Sequence, residues 1–285
     1  KALVLLVAGG AEDLTQMGLT YLRITVIFSP MLFILSVNSD ALRNEGRVGF
    51  MALMSLFVSL TNIGFNYVLI AMFDMGVAGA AYGTVAAQAI ALVIIISFRV
   101  YGNTPLRLRD IWQNSLSQHW GRILILGAPQ SLSFLGLALN SAAIIAALGW
   151  SGTQAYADTV SAYGILTRVM TFAYLPLLGL SFAMQTITGN IYGAKLFQRA
   201  DTSLRIALGA SLVYCVLVQG AIWLMAGWLG ALFVDDPKVI AQVARIAPIM
   251  SMAFFLTGPI LILASYFQAI GSAARAAVLA LSKPY

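Results

Sequence analysis

Six stretches of this chain contain no Asp, Glu, Lys or Arg: residues 48–73, 75–98, 123–157, 169–194, 206–234 and 246–274. Each is longer than the ~20 apolar residues that an α-helix needs to cross the hydrocarbon layer of a bilayer. A soluble protein built around one core has no use for six such runs. The chain therefore reads as an all-α, polytopic membrane protein. Its function has to be sought in the polar residues that its spans retain.

Charged residues make up 9% of the sequence, against about a quarter in a soluble domain. A net charge of +6 would point to nucleic acid in a soluble protein. Here it has a simpler source, because Lys and Arg gather in the cytoplasmic loops of membrane proteins; the expected partner is the lipid bilayer, with no nucleic acid. Cys215 stands alone inside a span, which excludes a disulfide or metal framework and reads as packing. His119 is also alone, in a loop. The Gly-rich stretch 76–83 lacks the Lys-Ser/Thr of a phosphate cradle and reads as small residues that let helices approach closely. No catalytic constellation is present, and an enzyme is not expected.

Seven spans are read, at 17–39, 48–72, 77–98, 123–148, 158–190, 206–234 and 239–270. The basic residues fall in alternate loops. Arg43 and Arg47 follow the first span; Arg99, Arg107, Arg109 and Arg122 follow the third; Lys195, Arg199 and Arg205 follow the fifth; Arg275 and Lys283 follow the seventh. The intervening loops hold only Lys238 and Arg245. This asymmetry places 40–47, 99–122, 191–205 and the C-terminal end in the cytoplasm. Trp112 and Trp120 then lie at the inner interface, and Trp150 and Trp228 at the outer one. Leu108, Trp112, Leu116 and Trp120 recur every fourth residue, so 106–120 is expected to be an amphipathic helix on the cytoplasmic surface.

Residues 12–33 and 234–255 are related by an offset of 222 that aligns Asp13 with Asp235, Arg23 with Arg245, Ser29 with Ser251 and Phe33 with Phe255. With a short gap, the turn at Gly46 aligns with the turn at Gly271. Duplication of this kind is common in transporters, with substrate held between the repeats. The offset leaves several spans without partners inside the chain, which places roughly a hundred residues before Lys1 and about forty or more after Tyr285.

The pieces "YLRI" (21–24), "ALRNEGR" (41–47), "TNIGFNYVLI" (61–70), "MGVAGAAYGT" (75–84), "GAPQS" (127–131), "AYGILTR" (162–168), "YGAK" (192–195), "LFVDD" (232–236) and "FQAIGSAAR" (267–275) resemble, in this order, the multidrug and toxic compound extrusion (MATE) family of secondary exporters. The resemblance implies two six-helix lobes related by a pseudo-twofold axis. On that map residues 1–100 are part of the N-terminal lobe, from the end of helix 3 to helix 6. Residues 101–122 are a cytoplasmic linker carrying the amphipathic helix, and residues 123–285 run from helix 7 to the start of helix 11. It also implies export of drugs or other toxic compounds, amphipathic or cationic, by antiport with Na⁺ or H⁺ across the inner (plasma) membrane, by a protein taken to be monomeric. No cofactor is implied beyond the coupling ion.

Asn62 and Asn66 are four apart and share one helix face. In the resemblance they match a polar pair of helix 5 at the cation site, with Thr84 of helix 6 as a third member. Their role would be to supply oxygens to Na⁺ or to bond a protonated acid. Many relatives carry Asp where this chain has Asn66, and the principal acid of that site lies on helix 1. The second half has no acid within its spans; Gln130, Asn140, Gln185 and Asn190 remain, and Asn140 and Gln185 are the candidates for lining a cargo cavity. Interhelical bonding is the alternative role for all of these.

Arg168 interrupts the fifth span and should face protein or water. Asp40 and Arg43 are spaced to pair, while Arg43, Glu45 and Arg47 are read as shaping a cytoplasmic turn. Pro30, Pro129, Pro176, Pro248 and Pro259 favour kinks, and Pro237 after two Asp reads as a helix start. Two rivals to an exporter stand beside it. A flippase for lipid-linked sugars of the same superfamily would want several basic residues in its cavity, and a non-transporting membrane scaffold would want a closed apolar interior.

Overall fold

The structure, a computed structural model, describes residues 12–102, 104–106, 115, 120–150 and 156–282. Among the described residues there is no strand. The helices are α1 (Glu12–Asn44), α2 (Val48–Asn66), α3 (Gly76–Tyr101), α4 (Trp120–Trp150), α5 (Tyr156–Gly193), α6 (Phe197–Leu229), α7 (Pro237–Ser251), α8 (Phe254–Ala269) and α9 (Ala273–Leu281). Among the described residues six helices are long and apolar enough to cross a membrane, and the count is seven when α7 and α8, bent by 42°, are taken as one span. These match the seven spans read from sequence, with one correction: 239–270 is broken rather than continuous. The break falls at Met252 and Ala253, between Pro248 and Pro259. Pro30 and Pro176, by contrast, sit inside unbroken helices. The surface helix expected at 106–120, and His119 with it, lies almost wholly outside the described residues.

Apolar side chains are exposed along whole helix faces, for example Val26, Ile27, Phe33 and Val37 on α1 and Leu217 and Leu224 on α6. Such continuous apolar faces are unstable in water and are what lipid covers. The protein is a multi-pass membrane protein.

The chain divides into two compact units, Lys1–Gln118 and His119–Tyr285. In the first, α3 packs against both α1 and α2. Its buried positions Gly79, Gly83, Ala87, Ala91, Ile95 and Arg99 recur every four residues. With small residues at four of these positions, neighbouring backbones come close enough for dispersion contacts to hold them where no hydrophobic effect operates. Leu42, Met51, Met54, Ala91 and Ile95 form a core near the turn between α1 and α2, beside a stacked Phe50–Phe98 pair at 4.1 Å. The Asp40–Arg43 pair is present at 2.9 Å.

In the second unit α8 is central, packing on α5, α6 and α9. Its cores are built from Leu177, Cys215, Phe254 and Leu261 and from α5, α6 and α7 around Leu166 and Val243. Cys215 is a free, buried packing residue. Asp236 caps α7 by accepting from the Lys238 N–H at 2.9 Å, with Pro237 in the first turn.

The aligned turns of the repeat share a geometry. Gly46 and Gly271 both have φ +81°. The N–H of the following residue reaches back five residues in each: Arg47 to the Leu42 carbonyl at 3.0 Å and Ser272 to the Phe267 carbonyl at 2.8 Å. This is a left-handed helix cap, which glycine adopts at little cost.

Candidate functional site

The sequence candidates of the first unit are brought together. α2 runs into α3 through a tight connection, so residues near the end of α2 face the first turns of α3. Asn66 Nδ2 donates to Asn62 Oδ1 at 3.2 Å, Asn62 Nδ2 donates to Thr84 Oγ1 at 3.0 Å, and Thr84 Oγ1 donates to the Ala80 carbonyl at 3.0 Å. Four polar groups on two helices thus form one directed chain of bonds. No carboxylate takes part in it. Asn62 Oδ1 and Thr84 Oγ1 each retain a lone pair beyond the bond they accept, whereas the Ala80 carbonyl also accepts the helical Thr84 N–H. At the far end, Asn66 Oδ1 is buried without a partner.

Two local features hold this chain in place. Asn66 is the last residue of α2, and the helix then widens into a π-helical stretch, Tyr67–Met72. Such wide turns commonly accompany functional positions in helices, and no sequence signal announced this one. Gly83 lies against Asn66: a Cβ there would fall on Asn66 Oδ1 and 3.2 Å from the Asn66 nitrogen. Gly83→Ala is therefore expected to push the Asn66 amide off Asn62 at a cost of about 1–2 kcal/mol. Thermal denaturation of the variant should show the loss, and Asn66→Ala in the same background should partly restore it. Equal loss with and without the Asn66 side chain would place the clash elsewhere.

Gln88 was not among the candidates. It lies one turn beyond Thr84 on the same face of α3, and its Oε1 is a second buried acceptor without a partner. The i, i+4 spacing from Thr84 was the available signal.

The second-unit candidates are separated. Gln185 Nε2 donates to Gln268 Oε1 at 3.0 Å, and Gln268 Nε2 donates to the Leu126 carbonyl at 3.2 Å. These bonds tie α5, α8 and α4 together, and Asn140 on α4, half-buried, is outside them. A Ser181–Ser265 hydrogen bond of 2.5 Å lies one turn away. Arg168 is exposed on α5. Among the described residues, no group of three His, Cys, Asp or Glu is placed to hold a metal ion.

The sequence is similar to several curated transporters. It is 23% identical to multidrug and toxin extrusion protein 1 of Xenopus tropicalis, over 87% of this chain and 42% of that protein. It is 21% identical to the probable multidrug resistance protein YoeA of Bacillus subtilis, over 94% of this chain and 59% of that protein. The fold superposes on a MATE family multidrug resistance transporter in an outward-facing conformation with a TM-score of 0.86 at 21% identity, covering 97% of this chain and 61% of that one. The chain thus spans about two-fifths to three-fifths of the length of these relatives. Residues 2–68 and 129–283 match the family described as MatE. Helices, spans and family match agree: this chain belongs to the MatE family of multidrug and toxic compound extrusion proteins.

Proposed function

We propose that this chain is part of a cation-coupled exporter of small organic compounds that works by alternating access in the plasma (inner) membrane. The observation that carries the reading is the set of neutral oxygens of Asn62 and Thr84, with the unpartnered Asn66 Oδ1 beside them, inside two charge-free spans. A hard cation takes its ligands from such oxygens. Neither an amide nor a hydroxyl gains or loses a proton near neutral pH, so these groups suit Na⁺; a driving H⁺ needs a carboxylate to join them. Cation and cargo then favour opposite-facing states, and each occupancy shifts the balance. Gln185 and Asn140 are assigned to cargo, orienting an amphipathic or cationic molecule through neutral hydrogen bonds. The exporter is taken to act as a monomer.

The test is efflux from the whole protein, normalised to protein in the membrane and followed against Na⁺ and pH. Asn62→Ala and Thr84→Ala should weaken cation dependence by about 1–3 kcal/mol, roughly 5- to 150-fold in affinity, with cargo binding at equilibrium less affected. Asn66→Asp should tighten the cation and make its binding depend on pH, since proton and cation then compete for one carboxylate. If cation dependence is unchanged in all three variants, the groups are interhelical packing and the assignment fails.

A further inference from the structure

At the cytoplasmic end of the first unit, Arg99 and Glu45 form an ion pair of 2.9 Å whose side chains are only 3% and 7% exposed. Glu45 lies in the turn after α1, as read from sequence, and its side chain reaches a residue 54 positions away. Arg99 does more than neutralise it. Its Nη1 also donates to the Leu106 carbonyl at 3.1 Å, and its Nη2 donates to the Asn38 carbonyl at 3.2 Å. One guanidinium thus joins α1, the turn after α1, the last turns of α3 and the segment beyond α3. Thr104 is 2% exposed, and its hydroxyl donates to the same Leu106 carbonyl at 3.1 Å.

The pair is poorly arranged for stability alone. Glu45 Oε2 and Arg99 Nε are both buried without partners, and an incompletely bonded buried pair returns little against the cost of desolvating it. What it supplies is position: the planar fork of Arg holds several acceptors in fixed directions at once, which an apolar contact does not. Leu106 belongs to the chain segment that leads from the first unit into the second, which begins at His119. We propose that Arg99, held by Glu45, is an anchor that fixes the first residues of this connector to the first unit, and that transport requires the anchor. The connector then moves with α3 as far as Leu106. The role is independent of which cation or cargo is used.

The test uses the whole protein with Cys215→Ala and a reporter at Thr104→Cys, read by the rate of reaction with a hydrophilic thiol reagent added from the cytoplasmic side. Arg99→Leu alone leaves a buried carboxylate and is expected to fold poorly. Glu45→Leu/Arg99→Leu removes both charges and keeps the fold, because an apolar pair replaces an ion pair at little cost. Its labelling should rise roughly ten-fold or more as the segment opens locally, and efflux per molecule should fall several-fold. Arg99→Lys keeps the charge and Glu45 but loses the fork, and should fall between. Three results each overturn the proposal: unchanged labelling in both variants, faster labelling with unaltered efflux, or faster labelling only where the thermal midpoint has collapsed.

Discussion

Gly258→Val is expected to destabilise the protein by at least about 3 kcal/mol, at the upper end of what overpacking costs. Gly258 is buried on α8 where α8 crosses α6. A Cβ there would lie 2.6 Å from Cys215 Sγ and 3.1 Å from both the Cβ and the carbonyl oxygen of Ser211. Cys215 and Ser211 are themselves fully buried, so the sulfur has nowhere to swing and the backbone oxygen moves only with its helix. Against this, any side chain at a helical glycine gains up to ~1 kcal/mol of propensity. The clash wins because two of its three partners belong to the α6 backbone or sit directly on it. Thermal unfolding in detergent is the measurement. Gly258→Ala should cost less, and Cys215→Ala should relieve part of that cost, making the double variant more stable than additivity allows. A Gly258→Val protein that melts with the parent would mean that α6 and α8 do not approach this closely.

How much of this was legible beforehand follows from the range of each interaction. The spans were legible because exclusion of charge is a property of each segment by itself. So were the Asp236–Pro237 helix start and the Asp40–Arg43 pair, which involve neighbours in sequence. The shared left-handed turns at Gly46 and Gly271 were reached through the repeat, although few identities mark it. The Asn62–Asn66–Thr84 grouping came from resemblance and helical spacing; that the three bond in one directed chain depends on how α2 meets α3, which spacing does not determine. Contacts between distant segments were not legible. Arg99 reads as a loop cation from its place after an apolar run, and Glu45 as a turn residue, because nothing local to either names the other. The proline rule misplaced the bend in the same way: five prolines were candidates, while the break falls at Met252 and Ala253, where a side chain of α6 takes over the backbone bonds. That side chain is Gln219, which in sequence is one more polar residue in a span.

Gln219→Met should be the most damaging change of near-constant volume in the second unit. In an unbroken helix the Phe255 N–H would donate to the Ser251 carbonyl, and the Met252 carbonyl would accept from Leu256. At the break neither bond is made. Phe255 N–H instead donates to Gln219 Oε1 at 2.9 Å, and Gln219 Nε2 donates to the Met252 carbonyl at 3.2 Å. One primary amide therefore stands in for a missing peptide group on each side of a 42° bend. Leu256 turns back to the Ala253 carbonyl at 3.1 Å, and Trp223 Nε1 donates to Ser251 Oγ at 3.0 Å one turn along α6. Methionine fills the same space without donor or acceptor of useful strength. It leaves an N–H and a carbonyl inside the span unpaired where no lipid can bond them, at about 1–3 kcal/mol each. A net loss of about 3 kcal/mol corresponds to a fall of roughly 6–12 °C in the thermal midpoint for a domain of 150–250 residues. If the bend serves alternating access, efflux per molecule should fall as well, since α7 and α8 lose the fixed angle between them. An unchanged midpoint would show that the break closes its own backbone bonds when the amide is removed, and that Gln219 follows the bend rather than making it.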